Sequence, residues 1–422
     1  MDIINSYGFI LIVVAASVGF LMAWGIGAND VANAMGTSVG SKALTIKQAI
    51  FIAMIFEFAG AYLAGGEVTS TIRKGIIDSA YFINTPELLV FGMISALLAA
   101  GIWLAFASYL GWPVSTTHSI VGAIVGFAAV GVSADAVEWG KVGGIVGSWV
   151  ITPAISGFIA FLIFQSAQKL IFDTENPFDN AKRYVPFYMA LAGFVMALVT
   201  IKKGLKHVGL DIPADQGYYI ALGMAMLVGV IGRVFIGRLK IDPLSKKDAQ
   251  FVNVEKVFAV LMVVTACCMA FAHGSNDVAN AIGPLAAVVS IVESGGEIGK
   301  KATLVWWILP LGGVGIVAGL ALFGHRVIKT IGKGITHLTP SRGFAAELAA
   351  ACTVVIASGT GLPISTTQTL VGAVLGVGMA RGIAALNLGV VRNIVVSWVV
   401  TLPAGAGLSI VFFFMIKGIF AP

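Results

Sequence analysis

The chain has 422 residues, of which 58% are hydrophobic and only 11% are Asp, Glu, Lys or Arg, against roughly 25% charged in an ordinary soluble domain. That composition excludes a soluble globular protein, and the net charge of +6, spread over short connections, gives no basic surface for nucleic acid. The chain reads as one whose main solvent is the lipid bilayer.

Stretches free of charged residues run over 3–29, 88–134, 142–168, 184–201, 216–232, 257–276, 302–325, 348–380 and 393–416. Most match or exceed the ~20 residues that cross a bilayer as helix. They are continuous and do not alternate, which predicts helices and excludes the strands of a closed barrel. The first stretch is preceded by Asp2 and by no basic residue, and it is too long for a secretory leader, so it reads as a retained first span. Counting 88–134 as two segments gives about 12 hydrophobic segments in an all-α polytopic membrane protein. The densest basic link runs from Arg233 through Arg238, Lys240, Lys246 and Lys247 to Lys256, and the positive-inside rule places it in the cytoplasm. Lys202, Lys203 and Lys206 pull the preceding loop the same way. Cys267, Cys268 and Cys352 lie in apolar runs and read as small buried hydrophobes, not as a disulfide or a metal site.

The chain repeats itself. "GANDVANAMG" at 27–36 and "GSNDVANAIG" at 274–283 agree at eight positions with an offset of 247. "PVSTTHSIVGAIVG" at 113–126 returns as "PISTTQTLVGAVLG" at 363–376, and "SWVITPA" at 148–154 as "SWVVTLPA" at 397–404. Three matches in one order make an internal duplication, with a period far longer than the 20 to 50 residues of solenoid repeats. The first copy is assigned to 1–171, linking spans and a short loop to 172–253, and the second copy to 254–422. About seven hydrophobic segments precede the second copy, and an odd number inverts it relative to the first. Inverted halves are a recurring plan of secondary transporters, whose sites lie near the membrane midplane where the halves meet.

The repeated stretches carry the chemistry. A carboxylate at the bilayer centre costs about 2.5–3.5 kcal/mol on insertion scales, yet Asp30 and Asp277 both stand in apolar segments. Asn29 and Asn33 flank the first, Asn276 and Asn280 the second, and the glycines Gly27, Gly36, Gly274 and Gly283 bracket both. These hard oxygens, with carbonyls that glycine lets turn inward, suit an alkali cation or a proton. Ser115, Thr116 and Thr117, like Ser365, Thr366 and Thr367, follow a proline two positions ahead of each triplet. Proline favours the first turn of a helix, so these hydroxyls and their amides are expected at helix N-termini, which attract anions. Two such termini meeting from inverted halves could clasp a tetrahedral oxyanion.

Glu57 and Glu347 are further acids in apolar surroundings and candidates for transport, the alternative being structural pairs with Arg73 or Arg342. His118 stands where the second copy has Gln368 and reads as an interior hydrogen-bonded histidine, with a proton role as the other possibility. Arg73, Lys74 and Lys333, in "TIRKGI" and "TIGKGI", are candidates for drawing in an anion or for snorkelling at a membrane face. "GTSVGSK" at 36–42 and "GGEIGKK" at 295–301 lack the spacing of a phosphate loop, so nucleotide hydrolysis has no support. No HExxH pair and no Gly-x-Ser-x-Gly appears, which argues against an enzyme.

Taken together, the paired GANDVANA-type stretches, the two Pro-[Val/Ile]-Ser-Thr-Thr segments, "TIRKGI" and "SRGFAAEL" resemble the PiT family of inorganic phosphate transporters, also called the Pho4 family. The resemblance covers nearly the whole chain. It implies cation-coupled phosphate symport by a multi-pass protein of the cell (inner) membrane, with inverted repeats, re-entrant helical hairpins, no prosthetic group and commonly a homodimer. It implies a coupling cation, Na⁺ or H⁺, at Asp30 and Asp277 with their Asn neighbours, phosphate at the two Ser-Thr-Thr triplets, and essential roles for Glu57 and Glu347. Eukaryotic members carry a large cytoplasmic domain where this chain has a short link at 238–256, which points to a prokaryotic member. Gln368 opposite His118 departs from any symmetric role for the histidine. Another oxyanion such as sulfate, or an anion channel or receptor, are the alternatives.

Overall fold

The computed structural model describes residues 2–66, 68–69, 72, 75–201, 212–239, 247–298, 304–334, 338–382 and 387–420. Among these, twelve α-helices follow in order: α1 (Asp2–Gly40), α2 (Ile46–Ala64), α3 (Pro86–Leu110), α4 (Thr116–Gly131), α5 (Trp139–Ala167), α6 (Pro177–Val199), α7 (Ala214–Gly237), α8 (Lys247–Glu293), α9 (Ile308–Gly334), α10 (Pro340–Gly359), α11 (Thr366–Arg381) and α12 (Leu388–Phe420). Nine of the described helices are long and apolar enough to cross a membrane, as the charge-free stretches predict. No strand forms among the described residues beyond one isolated bridge between Ile77 and Val137. The apolar surface is turned outward: Phe9 is 80% exposed, Val150 71% and Tyr219 76%, an arrangement stable only where the surroundings are lipid.

The two longest helices set the frame. Along α1 and α8, Gly8 lies against Val292, Gly19 against Leu285, and Ser41 Oγ is 3.0 Å from Met262 Sδ. Rising numbers on one helix meet falling numbers on the other, so the helices carrying the duplicated Asp motifs run antiparallel and the copies are inverted. Packing obeys the same exchange: α1 packs on α9 as α8 packs on α2, α4 on α12 as α11 on α5, and α3 on α1 as α10 on α8. The helices α6 and α7 pack mainly on each other, with α6 against α8.

The parity survives the hairpins because each adds two passes or none. The α3–α4 arm enters from the face where α1 begins, since Gly296, just past the end of α8, lies against both Ile4 and Pro86. It leaves by the same face, where Asp78 donates its amide to Ala136 O at 2.9 Å and Glu138 donates to Ile76 O at 2.9 Å. The α10–α11 arm enters from the opposite face, where the amide and hydroxyl of Ser341 donate to the Glu255 carboxylate, near the start of α8, at 2.8 and 2.6 Å. Both arms are therefore re-entrant and approach each other from opposite sides.

Close helix approach depends on glycine at the core. A Cβ on Gly27 would stand 1.9 Å from Ile316 O on α9, and a Cβ on Gly274 would stand 2.2 Å from Glu57 O on α2. The substitution Gly27→Ala is expected to lower the detergent melting temperature, with an overpacking cost of about 1–3 kcal/mol. Gly223→Ala, where nothing lies within 4 Å of the added carbon, should leave it unchanged or raise it.

Candidate functional site

Each hairpin tip is built by the same local code. α3 ends at Gly111 and α10 just before Gly361, with φ of 70° and 73°, a left-handed conformation that glycine adopts without a Cβ clash. The following amides fold back: Trp112 N donates to Ala107 O at 2.8 Å and Leu362 N to Ala357 O at 3.1 Å, closing both helices in the Schellman manner. Proline then prevents the helix from resuming at once, and Ser115 and Ser365 cap the next helices, each accepting the amide of the residue three further on at 3.3 Å. Two helix N-termini are thereby aimed at one another, with first-turn amides that have no partner inside their own helices.

The tips meet reciprocally. Thr117 donates its hydroxyl to Ile364 O at 2.9 Å, and Thr367 donates to Val114 O at 3.3 Å. The Asp helices cross beside them. Thr116 donates to Asp30 Oδ2 and Thr366 to Asp277 Oδ2, both at 2.7 Å. Each Asn then reaches across to the other copy's hairpin, Asn33 Nδ2 to Thr367 Oγ1 at 2.8 Å and Asn280 Nδ2 to Thr117 Oγ1 at 3.2 Å. Asn29 holds the first tip through Trp112 O (2.8 Å) and the Val114 amide (3.2 Å). Asn276 engages Ser358 Oγ at 2.9 Å and, in the amide orientation that satisfies both its atoms, donates to Asp277 Oδ1 (3.0 Å) and Ile364 O (3.3 Å). The structure thus gathers Asn29, Asp30, Asn33, Asn276, Asp277, Asn280 and both Ser-Thr-Thr triplets into one place. None of these is more than 2% exposed, so the site is closed to both faces.

Two acids stand apart from this symmetry. Glu57 Oε1 lies 3.2 Å from His273 Nδ1, while His273 Nε2 lies 3.0 Å from Asp277 Oδ2, all of them fully buried. The equivalent places in the other copy hold Ile26 and Ile316, so this polar chain exists once. Glu347 accepts hydroxyls from Thr37 and, at 2.6 Å, from Ser38 on Oε1, and from Thr265 at 2.7 Å on Oε2. Glu57 faces His273 and Glu347 faces hydroxyls, while Arg73, the arginine suggested as a structural partner of Glu57, lies outside the described residues. His118 is an interior residue, its ring 3.7 Å from that of Trp149 and its Nδ1 3.3 Å from Trp398 O. The three cysteines are free thiols. Lys74 and the Lys333 side chain fall outside the described residues.

His273 is the residue that sequence reading missed. Its signal was available: it lies four positions before Asp277, one helical turn away on the same face, where the first copy has isoleucine.

The arrangement fits a cation. Ligand atoms of Asp30, His273 and Asp277 all lie within 4.8 Å of one another. Asp30 Oδ1, Asn280 Oδ1 and Glu57 Oε2 are buried acceptors that receive no hydrogen bond among the described residues. Buried oxygens without donors are costly unless a cation or proton answers them.

Comparison with known proteins shows the family. The phosphate transporter family matches residues 26–409. A protein of Haemophilus influenzae that bears the provisional name phosphate permease is 59% identical over 100% of both chains. The chloroplastic inorganic phosphate transporter 2-1 of Arabidopsis thaliana is 45% identical over 93% of this chain and 70% of its own length. The solved structure titled the sodium-dependent phosphate transporter superposes with a TM-score of 0.89 at 41% identity, covering 97% of this chain and 99% of that one.

Removing His273 should expose how much the polar chain depends on it. His273→Ile leaves two buried carboxylates facing apolar atoms, and a loss of about 3–5 kcal/mol in stability is expected. Adding Glu57→Ile recreates the pair found in the other copy and should restore much of the melting temperature in detergent.

Proposed function

The chain belongs to the phosphate transporter family, a class of membrane proteins that are not enzymes, and on that premise we propose that it is a secondary active symporter importing inorganic phosphate with Na⁺. The observation that carries the reading is the reciprocal packing of two helix N-termini against two Asp–Asn clusters. An oxyanion at the tips is drawn by first-turn amides and helix dipoles. The same oxyanion is repelled by Asp30 and Asp277, which stand beside those tips through Thr116 and Thr366. At an effective dielectric of ~20, like unit charges 4 Å apart repel by about 4 kcal/mol, roughly a thousandfold in occupancy. A cation between the carboxylates removes that penalty and releases the threonine hydroxyls to the anion. Cation and phosphate therefore favour each other's binding, which is the thermodynamic requirement for coupling.

Phosphate suits the site better than sulfate for a stated reason. The tips offer acceptors as well as donors, namely two carboxylates, Val114 O and Ile364 O, and a protonated phosphate oxygen can donate to them. Sulfate has no proton to give to them, which supports discrimination against it. Each copy's helices pack chiefly on the other's, so the moving bodies are mixed: once both ions are held, the group of α1, α2, α8 and α9 and the group of α4, α5, α11 and α12 shift against each other to expose the site to the other face. The proposal includes a homodimer in the inner membrane. Proton coupling is the second reading, and the Glu57–His273–Asp277 chain favours it, because an imidazole between two carboxylates can pass a proton from one to the other.

In proteoliposomes, an imposed Na⁺ gradient at fixed pH should concentrate labelled phosphate, while excess sulfate leaves uptake unchanged. Asp30→Asn or Asp277→Asn should reduce coupled uptake to the level of protein-free vesicles. Accumulation driven only by a pH gradient would replace Na⁺ with H⁺, and full activity of either Asn variant would overturn the mechanism.

A further inference from the structure

We propose that His118 is a positioning residue for phosphate: its ring fastens the first hairpin tip to the helices behind it and fixes how far apart the two anion-attracting helix N-termini stand. The proposal rests on the symport reading in one respect, that phosphate binds between the tips.

The first observation is where the third side chain of a tip helix goes. His118 and Gln368 each stand three residues after a capping serine, Ser115 or Ser365, whose hydroxyl accepts their amides. A Glu or Gln at that place commonly folds back onto the amide of the cap itself. His118 turns the other way and donates Nδ1–H to Trp398 O on α12 at 3.3 Å. It therefore does not compete with an anion for the Ser115 amide.

The second observation is that this one ring spans two helix pairs. α4 packs along α12 and α11 along α5, and the two pairs meet chiefly at the tips. The His118 ring, on α4, lies 3.7 Å from the ring of Trp149 on α5, and the side chain of Gln368 on α11 approaches it from the other hairpin. All three residues are buried. A second tie holds the same tip, since Ser397 Oγ donates to Pro113 O at 3.2 Å. Its counterpart in the first copy, Ser148, donates to Ile145 O inside its own helix. The first tip is thus anchored to α12, and the second is located against it through His118.

The third observation accounts for a pair of His with Gln and not of His with His. An Nδ1 that donates to a carbonyl leaves Nε2 a bare acceptor in neutral imidazole. Trp149 O, the counterpart of Trp398 O, has no helical donor, because Pro153 stands four residues on. A histidine at 368 would be drawn to that carbonyl in the same tautomer, and two bare Nε2 atoms would then face each other. Glutamine brings an amide N–H to the meeting instead. His118 Nε2 and Gln368 Oε1 both lack a partner among the described residues, so the contact is completed when the Gln368 amide turns its N–H toward the ring.

The test sets phosphate affinity against turnover. KM and Vmax for labelled phosphate are measured in proteoliposomes under a fixed Na⁺ gradient, together with the detergent melting temperature of each variant. His118→Leu should raise KM about tenfold, the loss of roughly one hydrogen bond, with Vmax within about twofold. Ser397→Ala should raise KM by less, and Ser148→Ala should leave it unchanged. Gln368→His should raise KM as His118→Leu does. The exchange of His118→Gln with Gln368→His should bring KM back toward that of the unmodified protein, since it restores the pair in mirror image against the other tryptophan. A purely structural role would instead lower melting temperature and Vmax with KM unmoved, and the exchange would compound the two losses. The exchange keeps both side-chain types, so it decides the matter even where His118→Leu folds poorly. Unchanged KM in a folded His118→Leu, or an exchange no better than Gln368→His alone, would overturn the proposal while leaving the symporter intact. Failure of the unmodified protein to accumulate phosphate under any cation gradient would instead remove the reading on which it rests.

Discussion

Everything in this fold is arranged around one electrostatic conflict. Two carboxylates and two anion-attracting helix N-termini occupy the same buried centre, joined by the Thr116–Asp30 and Thr366–Asp277 hydrogen bonds. The two sets of groups favour opposite ions: buried carboxylates attract a cation, and helix N-termini attract an anion. The long antiparallel helices, the glycine contacts at Gly27 and Gly274 and the opposed hairpins all bring these groups within one another's reach. A site that is unfavourable when half filled is what a coupled transporter needs, because it makes partial loading rare.

The symmetry is instructive where it fails. The hydrogen bonds of Thr116 and Thr366 to the Asp residues, of Thr117 and Thr367 across the tips, and of Asn33 and Asn280 to the opposite hairpin come in pairs related by the duplication. The Glu57–His273 pair and the Glu347 cage do not, being replaced by Ile316 with Ile26 and by Leu97 in the other copy. On the proposed reading the symmetric parts are the ones that bind, since an ion between two equal halves meets both, and the asymmetric parts are the ones able to distinguish the two faces.

Much of this was legible in the sequence. Charge-free runs marked the spans, the offset of 247 marked the duplication, and Pro-x-Ser-Thr-Thr marked helix starts within apolar segments. Short-range chemistry sufficed for these, because glycine, proline and capping serine act on their own neighbourhood. The hairpins being re-entrant was an implication of resemblance, since 88–134 is long enough to cross the bilayer twice and its hydropathy does not say where it turns back. The partners of Glu57 and Glu347 were not legible. His273 and Thr37 are far from them along the chain, and only the crossing of α2 and α10 with the long helices brings them together. A comparison of the two copies for unmatched polar residues would have flagged His273 without any structure.

The reciprocal contact of the tips has a consequence for how such a chain arises. Thr117 reaches Ile364 as Thr367 reaches Val114, so the junction has the form of a two-fold interface in which each partner offers the same patch. A single copy holds one tip and one acid, half of a site, and would complete it by pairing with a second copy inserted upside down. In such a pair every mutation is felt twice, and a residue placed on one side is forced onto the other. Fusion of the copies into one polypeptide lifts that restraint. His273 and Glu347, which stand opposite Ile26 and Leu97, are differences that two identical copies could not carry.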